Sequence, residues 1–365
     1  MNPAFHTVIT ASDAERRDLF LGAAARLGTA VQNVEKDFWV CWTLDALFNG
    51  LEIGGPRLLF KGGTSLSKAF GLISRFSEDI DITVFRDDLG QSAEVADLDA
   101  LSGKKRRTRL EAIRDACQAY IAGPFTAQFT HLAASVMHES RFRLEPDPDD
   151  KDSQSLLFWY PAVTATADDY IRSAVKIEAG AKSALDPHIP ASVKPYVAQD
   201  LPDLDLNVAN VVTVKPERTF WDKVMILHGL RQWHDRRGEL RHGGQRVSRH
   251  YYDVHQLMQA PLAALWQNDQ VLAIDCARHA RLFFGNADLG LDIAVPGTFT
   301  LTPSAAMRDA LERDYEAMAG MVFGVVPRLS AVLDSAARFE QIVNGAGMAP
   351  LVPRKERSIH ERLLQ

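Results

Sequence analysis

Cysteine is scarce: Cys41, Cys117 and Cys276 are the three in 365 residues, widely separated, odd in number and without a CxxC or Cys/His ligand spacing. That pattern excludes a disulfide framework and a zinc finger, and leaves the thiols as small buried hydrophobes. Long apolar runs are missing too, since no stretch reaches the roughly 20 apolar residues of a membrane-spanning helix. The first residues, MNPAFHTVITASDAERRDLF, lack a basic region followed by an apolar one, so no secretion signal is read there. The expectation is a soluble protein of the cytoplasm. Positive charge is not in surplus: a net charge of -6 argues against a surface coated for tight nonspecific DNA binding, though it leaves local patches open. Internal repeats and low-complexity tracts are absent.

What is present has the balance of a globular protein, 46% hydrophobic and 24% charged. Because single cores stop growing near about 250 to 300 residues, two domains are expected. We place them at 1–200 and 201–365, with the Pro-rich stretch from Asp186 to Pro202 as the boundary. Ser12-Asp13 caps a predicted helix that stops at Gly28, and a second helix runs from Val34 to Phe48. RLLFKGG reads as a buried strand entering a glycine turn, SLSKAFGLI as a helix opened by Thr64 or Ser65, and DIDITVF as a strand. Residues 104 to 122 form a basic-fronted amphipathic helix, and 145 to 153 a solvated acidic turn. Ser155 to Val163 and Ser173 to Ala181 are predicted to pair as a hairpin. In the second of these strands Val175, Ile177 and Ala179 share one face, and Lys176, Glu178 and Gly180 the other. After residue 202 the chain reads as helical, through TFWDKVMILHGLRQW, SRHYYDVHQLM, DQVLAIDCARHARLFF and AMRDALERDYEAM.

The chemistry concentrates in KGGTSLSKAFGLISRFSEDIDITV, Lys61 to Val84. Positions i and i+2 of a strand project to one side, so Asp79 and Asp81 present two carboxylates together while Ile80 and Ile82 face the core. Such a pair suits a hard divalent cation such as Mg²⁺ or Mn²⁺; the plain alternative is a solvent-facing acidic strand. Upstream, Gly62-Gly63-Thr64-Ser65 stands at a strand-to-helix junction, where free N–H groups attract anions and glycine permits close approach of a phosphate. Lys68 is grouped with that turn as a nucleotide-binding candidate. The turn is neither GxxxxGK[ST] nor GxGxxG, and it also reads as a simple helix opening. Arg75 and Ser77 either hold phosphate oxygens or cap the strand.

KGGTSLSK followed by RFSEDIDI resembles the first motif of the AbiEii-like nucleotidyltransferases, the toxin half of abortive-infection toxin–antitoxin pairs. Glu35-Lys36-Asp37-Phe38, the strand VKIE with Glu178, Thr219 to His228, Arg249 with Tyr252 and Asp253, and His279 to Phe284 match further motifs. The likeness covers about residues 30 to 290. It implies an α+β fold, a polymerase β-like nucleotidyltransferase core with a small mixed sheet, followed by a mainly helical carboxy-terminal part. It also implies that Asp79, Asp81 and Glu178 hold metal. Lys223 would touch phosphate rather than snorkel, and Asp253 would orient the nucleophile or act as a base. An NTP would be the substrate, RNA such as tRNA the acceptor, and a cognate antitoxin the partner.

The interval after Lys223 is basic. Arg236, Arg237, Arg241, Arg246 and Arg249 either contact an RNA backbone or coat a solvated loop. Lys104 to Arg109 is a second candidate patch. Two other functions share these motifs, an NTP-dependent phosphotransferase or kinase and a catalytically silent nucleotide-binding module. The fate of an α- or γ-phosphate label separates them.

Overall fold

In a computed structural model, residues 1–165, 172–244 and 246–345 are described, so the end of the expected 201–365 region lies outside the described residues. Among the described residues seven strands form one sheet: β1 Leu58–Lys61, β2 Asp79–Val84, β3 Arg143–Pro146, β4 Ser155–Trp159, β5 Ala174–Glu178, β6 His188–Val193 and β7 Val208–Val214. Their order is β3-β4-β5-β2-β1-β7-β6. The sheet is mixed: β2 is antiparallel to β1 but parallel to β5, and β7 is parallel to β1. With helices packed around it, the fold is α+β, as expected.

The Asp13–Leu27 helix starts at a capping box, Ser12 Oγ accepting from the Glu15 N–H while the Glu15 side chain returns to the Ser12 N–H, and ends at Gly28 in the left-handed conformation, φ 65°. The next helix, Val31–Asn49, is buried nearly all round, with Phe38, Trp39, Val40, Trp42 and Leu44 in the core and Glu35, Lys36 and Asp37 buried against polar partners. It lies against the sheet, with Trp39 stacked on Tyr160 at 5.4 Å and Trp42 against Phe158 at 5.3 Å. A second apolar cluster gathers around Phe220, Trp221, Tyr251, Leu311 and Phe339, from helices Pro216–Arg237, Ser248–Leu257, Ala305–Met318 and Leu329–Gly345. Between the two clusters the acid-bearing parts of β2 and β5, with Lys61 at the end of β1, meet the helices.

The predicted hairpin forms, Leu156 pairing Ile177 and Phe158 pairing Val175. The Pro-rich stretch carries β6, which pairs with β7 alone and so tolerates Pro190, because an edge strand can spare one N–H. One expectation fails nearby: the chain beyond residue 202 is not all helix, since VANVVTV is the strand β7. Its β-branched residues are the signal, and their burial between β1 and β6 decides the matter. All three cysteines are free and buried. Burial pushes the Cys117 thiol up to about 12, which leaves it unreactive. Among the described residues no helix is long and apolar enough to cross a membrane.

Candidate active site

Strand register builds the acidic side. Asp81 lies across from Lys61 on β1 and from Glu178 on β5, and Asp79 lies across from Lys176. Alternation sends Ile80 and Ile82 fully into the core and keeps Asp79 and Asp81 on the opposite face. Burial, with the charges of Glu78, Glu178 and Asp81 close by, pushes the Asp79 carboxyl up to about 6. The three expected metal ligands share a face, yet each side chain turns to a cation of the protein. Glu178 Oε1 is 2.6 Å from Lys176 Nζ, Asp81 Oδ1 is 3.7 Å from Lys61 Nζ, and Asp79 Oδ2 is 3.7 Å from Arg246 Nη1. Among the described residues no three such ligands are already gathered around one point. The set of oxygen donors, crowded enough to raise the Asp79 carboxyl, suits a hard divalent cation that would relieve the repulsion.

The glycine turn floors the site. Gly62 is left-handed, φ 83°, and a Cβ there would run into the Asp81 carboxylate; a Cβ on Gly63 would run into the Arg75 guanidinium. The short helix Gly62–Lys68 opens at Gly62, two or three residues before the start expected at Thr64 or Ser65. Two consequences correct the expected nucleotide contacts. Thr64 and Ser65 are buried: Thr64 Oγ1 meets Ser77 Oγ at 2.8 Å and the Asp79 carbonyl at 2.5 Å, and Ser65 Oγ donates to the Gly62 carbonyl at 2.9 Å. The Thr64 hydroxyl ties the turn to β2, the Ser65 hydroxyl closes the turn on itself, and neither residue lines the cleft. Lys68, one helical turn after Thr64 and hence on the same inward face, pairs with Asp37 at 2.7 Å and lies 3.9 Å from the centre of the Tyr196 ring. It is a structural cation.

Opposite the acids stands a cationic side. Arg75 Nε and Nη2 donate to the two Asp253 oxygens at 2.7 and 2.8 Å, and Lys223 Nζ lies 2.8 Å from Oδ2. All three are buried. The Arg75 segment is pinned by Phe76 N–H to the Met321 carbonyl at 2.7 Å and Phe323 N–H to the Ser74 carbonyl at 2.8 Å. Burial opposes charge on Asp253, but Arg75 and Lys223 outweigh it and hold the carboxyl far below its usual range. That overturns the base role for Asp253, because a carboxylate fixed by two cations is a poor proton acceptor. Lys223 is itself lowered, by burial first and by Arg75 and Arg249 beside it.

A cleft of about 480 Å³ joins the two sides. Lys61, Gly62, Gly63, Ser77, Asp79, Asp81 and Glu178 line it from the sheet; Arg75, Lys223, Arg241, Arg249 and His250 line it from the helical side. Ile226, Leu230, Phe284, Leu289 and Leu291 make the remaining walls apolar. Of the five expected RNA-binding arginines, only Arg241 and Arg249 line the cleft. Arg236 donates to the Ala287 carbonyl and Arg237 pairs with the Asp288 carboxylate. Arg246 reaches Glu78 at 3.4 Å and Asp79 at 3.7 Å, from a backbone amide held by Asp314 at 2.6 Å.

The family profile for the nucleotidyl transferase AbiEii toxin, type IV toxin–antitoxin system, matches residues 45–344. The chain belongs to the AbiEii family. It is a nucleotidyltransferase of the toxin class, and membership implies an NTP substrate and an antitoxin partner. MenT4, a nucleotidyltransferase toxin from Mycobacterium tuberculosis H37Rv, superposes with a TM-score of 0.41 at 14% identity, covering 89% of this chain and 97% of that one. A comparison with curated proteins gives no match. In this AbiEii chain the Glu35-Lys36-Asp37 tripeptide braces the site from behind. Glu35 accepts from the Val163 and Thr164 amides at 2.8 and 3.0 Å, Lys36 pairs with Glu78 at 2.6 Å, and Asp37 holds Lys68. Sequence reasoning missed Glu78, Lys61 and Lys176. For Glu78 the signal was the unbroken Glu-Asp of SEDID; for the two lysines it was strand pairing, which no short motif encodes.

Proposed function

We propose that the cleft transfers a nucleoside monophosphate from an NTP to an acceptor hydroxyl in a Mg²⁺-dependent reaction, with RNA such as tRNA as the acceptor. The observation that carries this reading is the pairing of three strand carboxylates in register with a buried Arg75–Asp253–Lys223 cluster across one cleft. Asp79, Asp81 and Glu178 would hold the divalent ion, which when bound neutralises phosphate charge and polarises the α-phosphate. Arg75 and Lys223 share one carboxylate between two cations, so the cluster keeps a net positive charge toward the β- and γ-phosphates. The bare Gly62-Gly63 backbone lets the phosphates approach closely. Asp253 fixes Arg75 and Lys223, and catalysis follows mainly from positioning and charge compensation. Arg241 and Arg249, which line the same cleft, would meet an RNA backbone.

The test is incubation of the purified protein with each α-labelled NTP, Mg²⁺ and total cellular RNA, beside the Asp79→Ala, Asp81→Ala double variant. Label entering a tRNA-sized band with the native protein and falling by about 10³-fold or more in the variant is the expected result. Transfer of a γ label instead would assign phosphotransfer, and Mg²⁺-dependent NTP binding without transfer would assign a binding module.

A further inference from the structure

His250 lines the cleft beside Lys223, Arg75 and Arg249, yet nothing above gives it a task. It stands on the Ser248–Leu257 helix, one residue after Arg249 and three before Asp253. Its Nδ1 is sealed from solvent and has no hydrogen-bond partner. The ring can therefore address the cleft only through Nε2. The charged groups bearing on it are Lys223 from the Pro216–Arg237 helix, Arg249 and Asp253 from its own helix, and Arg75 from the loop before β2. Burial, then Lys223, Arg249 and Arg75, hold the imidazole well below its usual range, so the ring is neutral near pH 7. A neutral imidazole carries one proton. On Nδ1 that proton would be a buried, unpaired donor facing cations; a lone pair there is favoured by the same positive field. The proton belongs on Nε2.

We propose that His250 is an uncharged hydrogen-bond donor to the polyphosphate of the nucleotide, presenting Nε2–H from the cationic side of the cleft. The inference rests on the nucleotidyl-transfer reading of this cleft and deepens it. An additional cation beside Arg75, Lys223 and Arg249 would be repelled, whereas a neutral donor adds a phosphate hydrogen bond without that cost. The same arrangement rules out a base: Nε2 already holds its proton, and Nδ1 is closed to any acceptor hydroxyl.

The experiment is calorimetric titration of the native protein and of His250→Ala, His250→Gln and His250→Asn with each of the four NTPs and with inorganic tripolyphosphate, all with Mg²⁺. Turnover is then followed from pH 6 to 9 with the α-labelled donor. A glutamine amide nitrogen reaches the place of Nε2 and an asparagine amide that of Nδ1. Alanine and asparagine should each weaken binding by about tenfold, equally for NTP and tripolyphosphate, while glutamine stays within about threefold of native. The glutamine variant should keep the native pH profile. Unchanged binding in the alanine variant, rescue by asparagine instead of glutamine, an effect on NTP but not tripolyphosphate, or an acid limb lost in the glutamine variant would each overturn the proposal. Glutamine and asparagine retain a polar side chain of similar bulk, and their melting temperatures check the fold. Failure of the native protein to bind any triphosphate would instead overturn the nucleotide reading of the cleft, and this inference with it.

Discussion

On the helical side of the cleft, Asp253 is met by Arg75 and Lys223 at 2.7 to 2.8 Å; on the sheet side, Asp79 faces Glu78, Asp81 and Glu178 with Arg246 no nearer than 3.7 Å. Both regions bury charge beside charge, with opposite outcomes. The helical cluster is compensated from within the chain and holds its carboxylate ionised. The sheet cluster is under-compensated, so the Asp79 carboxyl is raised and an external cation would relieve the repulsion. A transfer site needs both: one side set in advance, the other unfinished until substrate and ion arrive.

Breaking the compensated side should have the largest effect. Asp253→Ala leaves two buried cations without a partner and should destabilise the protein by about 3–5 kcal/mol, read as a lower denaturation midpoint, along with loss of transfer. The folded carboxyl is depressed below its unfolded value, so its contribution is present above the ordinary aspartate range and fades as pH falls through it. Acid unfolding of the variant should accordingly be shallower; an unchanged acid limb would contradict the comparison.

Lys68 sharpens it from outside the cleft. Lys68→Met strands the buried Asp37 and should cost about 3 kcal/mol in stability, while the NTP dissociation constant of the folded protein stays native. Weaker NTP binding at full stability would return Lys68 to the nucleotide site.

The under-compensated side should respond in the other direction. Asp79→Asn removes a repelled charge and should stabilise the metal-free protein by about 1–3 kcal/mol at pH 7, even as it abolishes transfer. The sign follows from linkage. The folded carboxyl sits at about 6 against an ordinary 3.8, so the folded state binds more protons between those values and native stability falls as pH rises through that window. The asparagine variant should lose that fall, which thermal melts at pH 4, 5, 6 and 7 without divalent ions will show.

Much of the site was legible because short-range periodicity writes it. Alternation along DIDITV put Asp79 and Asp81 on one face, and the same alternation placed Glu178 opposite Val175 and Ile177. The Gly-Gly turn was legible because only glycine tolerates the carboxylate and guanidinium that crowd it. What stayed hidden depended on partners distant in sequence. Nothing in RFSED says that Arg75 grips a carboxylate 178 positions later, and nothing in SLSKAF says that Lys68 turns inward to Asp37. Strand β7 escaped notice because its alternating hydrophobics follow a proline-rich stretch that reads as a boundary, and pairing with β1 on one side and β6 on the other makes it a strand.

By itself, then, the sequence determined the acid pair, the glycine turn and the strands that carry them, since each is fixed by residues within a few positions of one another, and it pointed to the family through several such short motifs. Tertiary structure decided which charges compensate which: Asp253 for Arg75 and Lys223, Asp37 for Lys68, and none fully for Asp79. The reason is physical. Coulomb energy and desolvation depend on distance and burial in the folded chain, and neither quantity exists until the sheet and the helices have met.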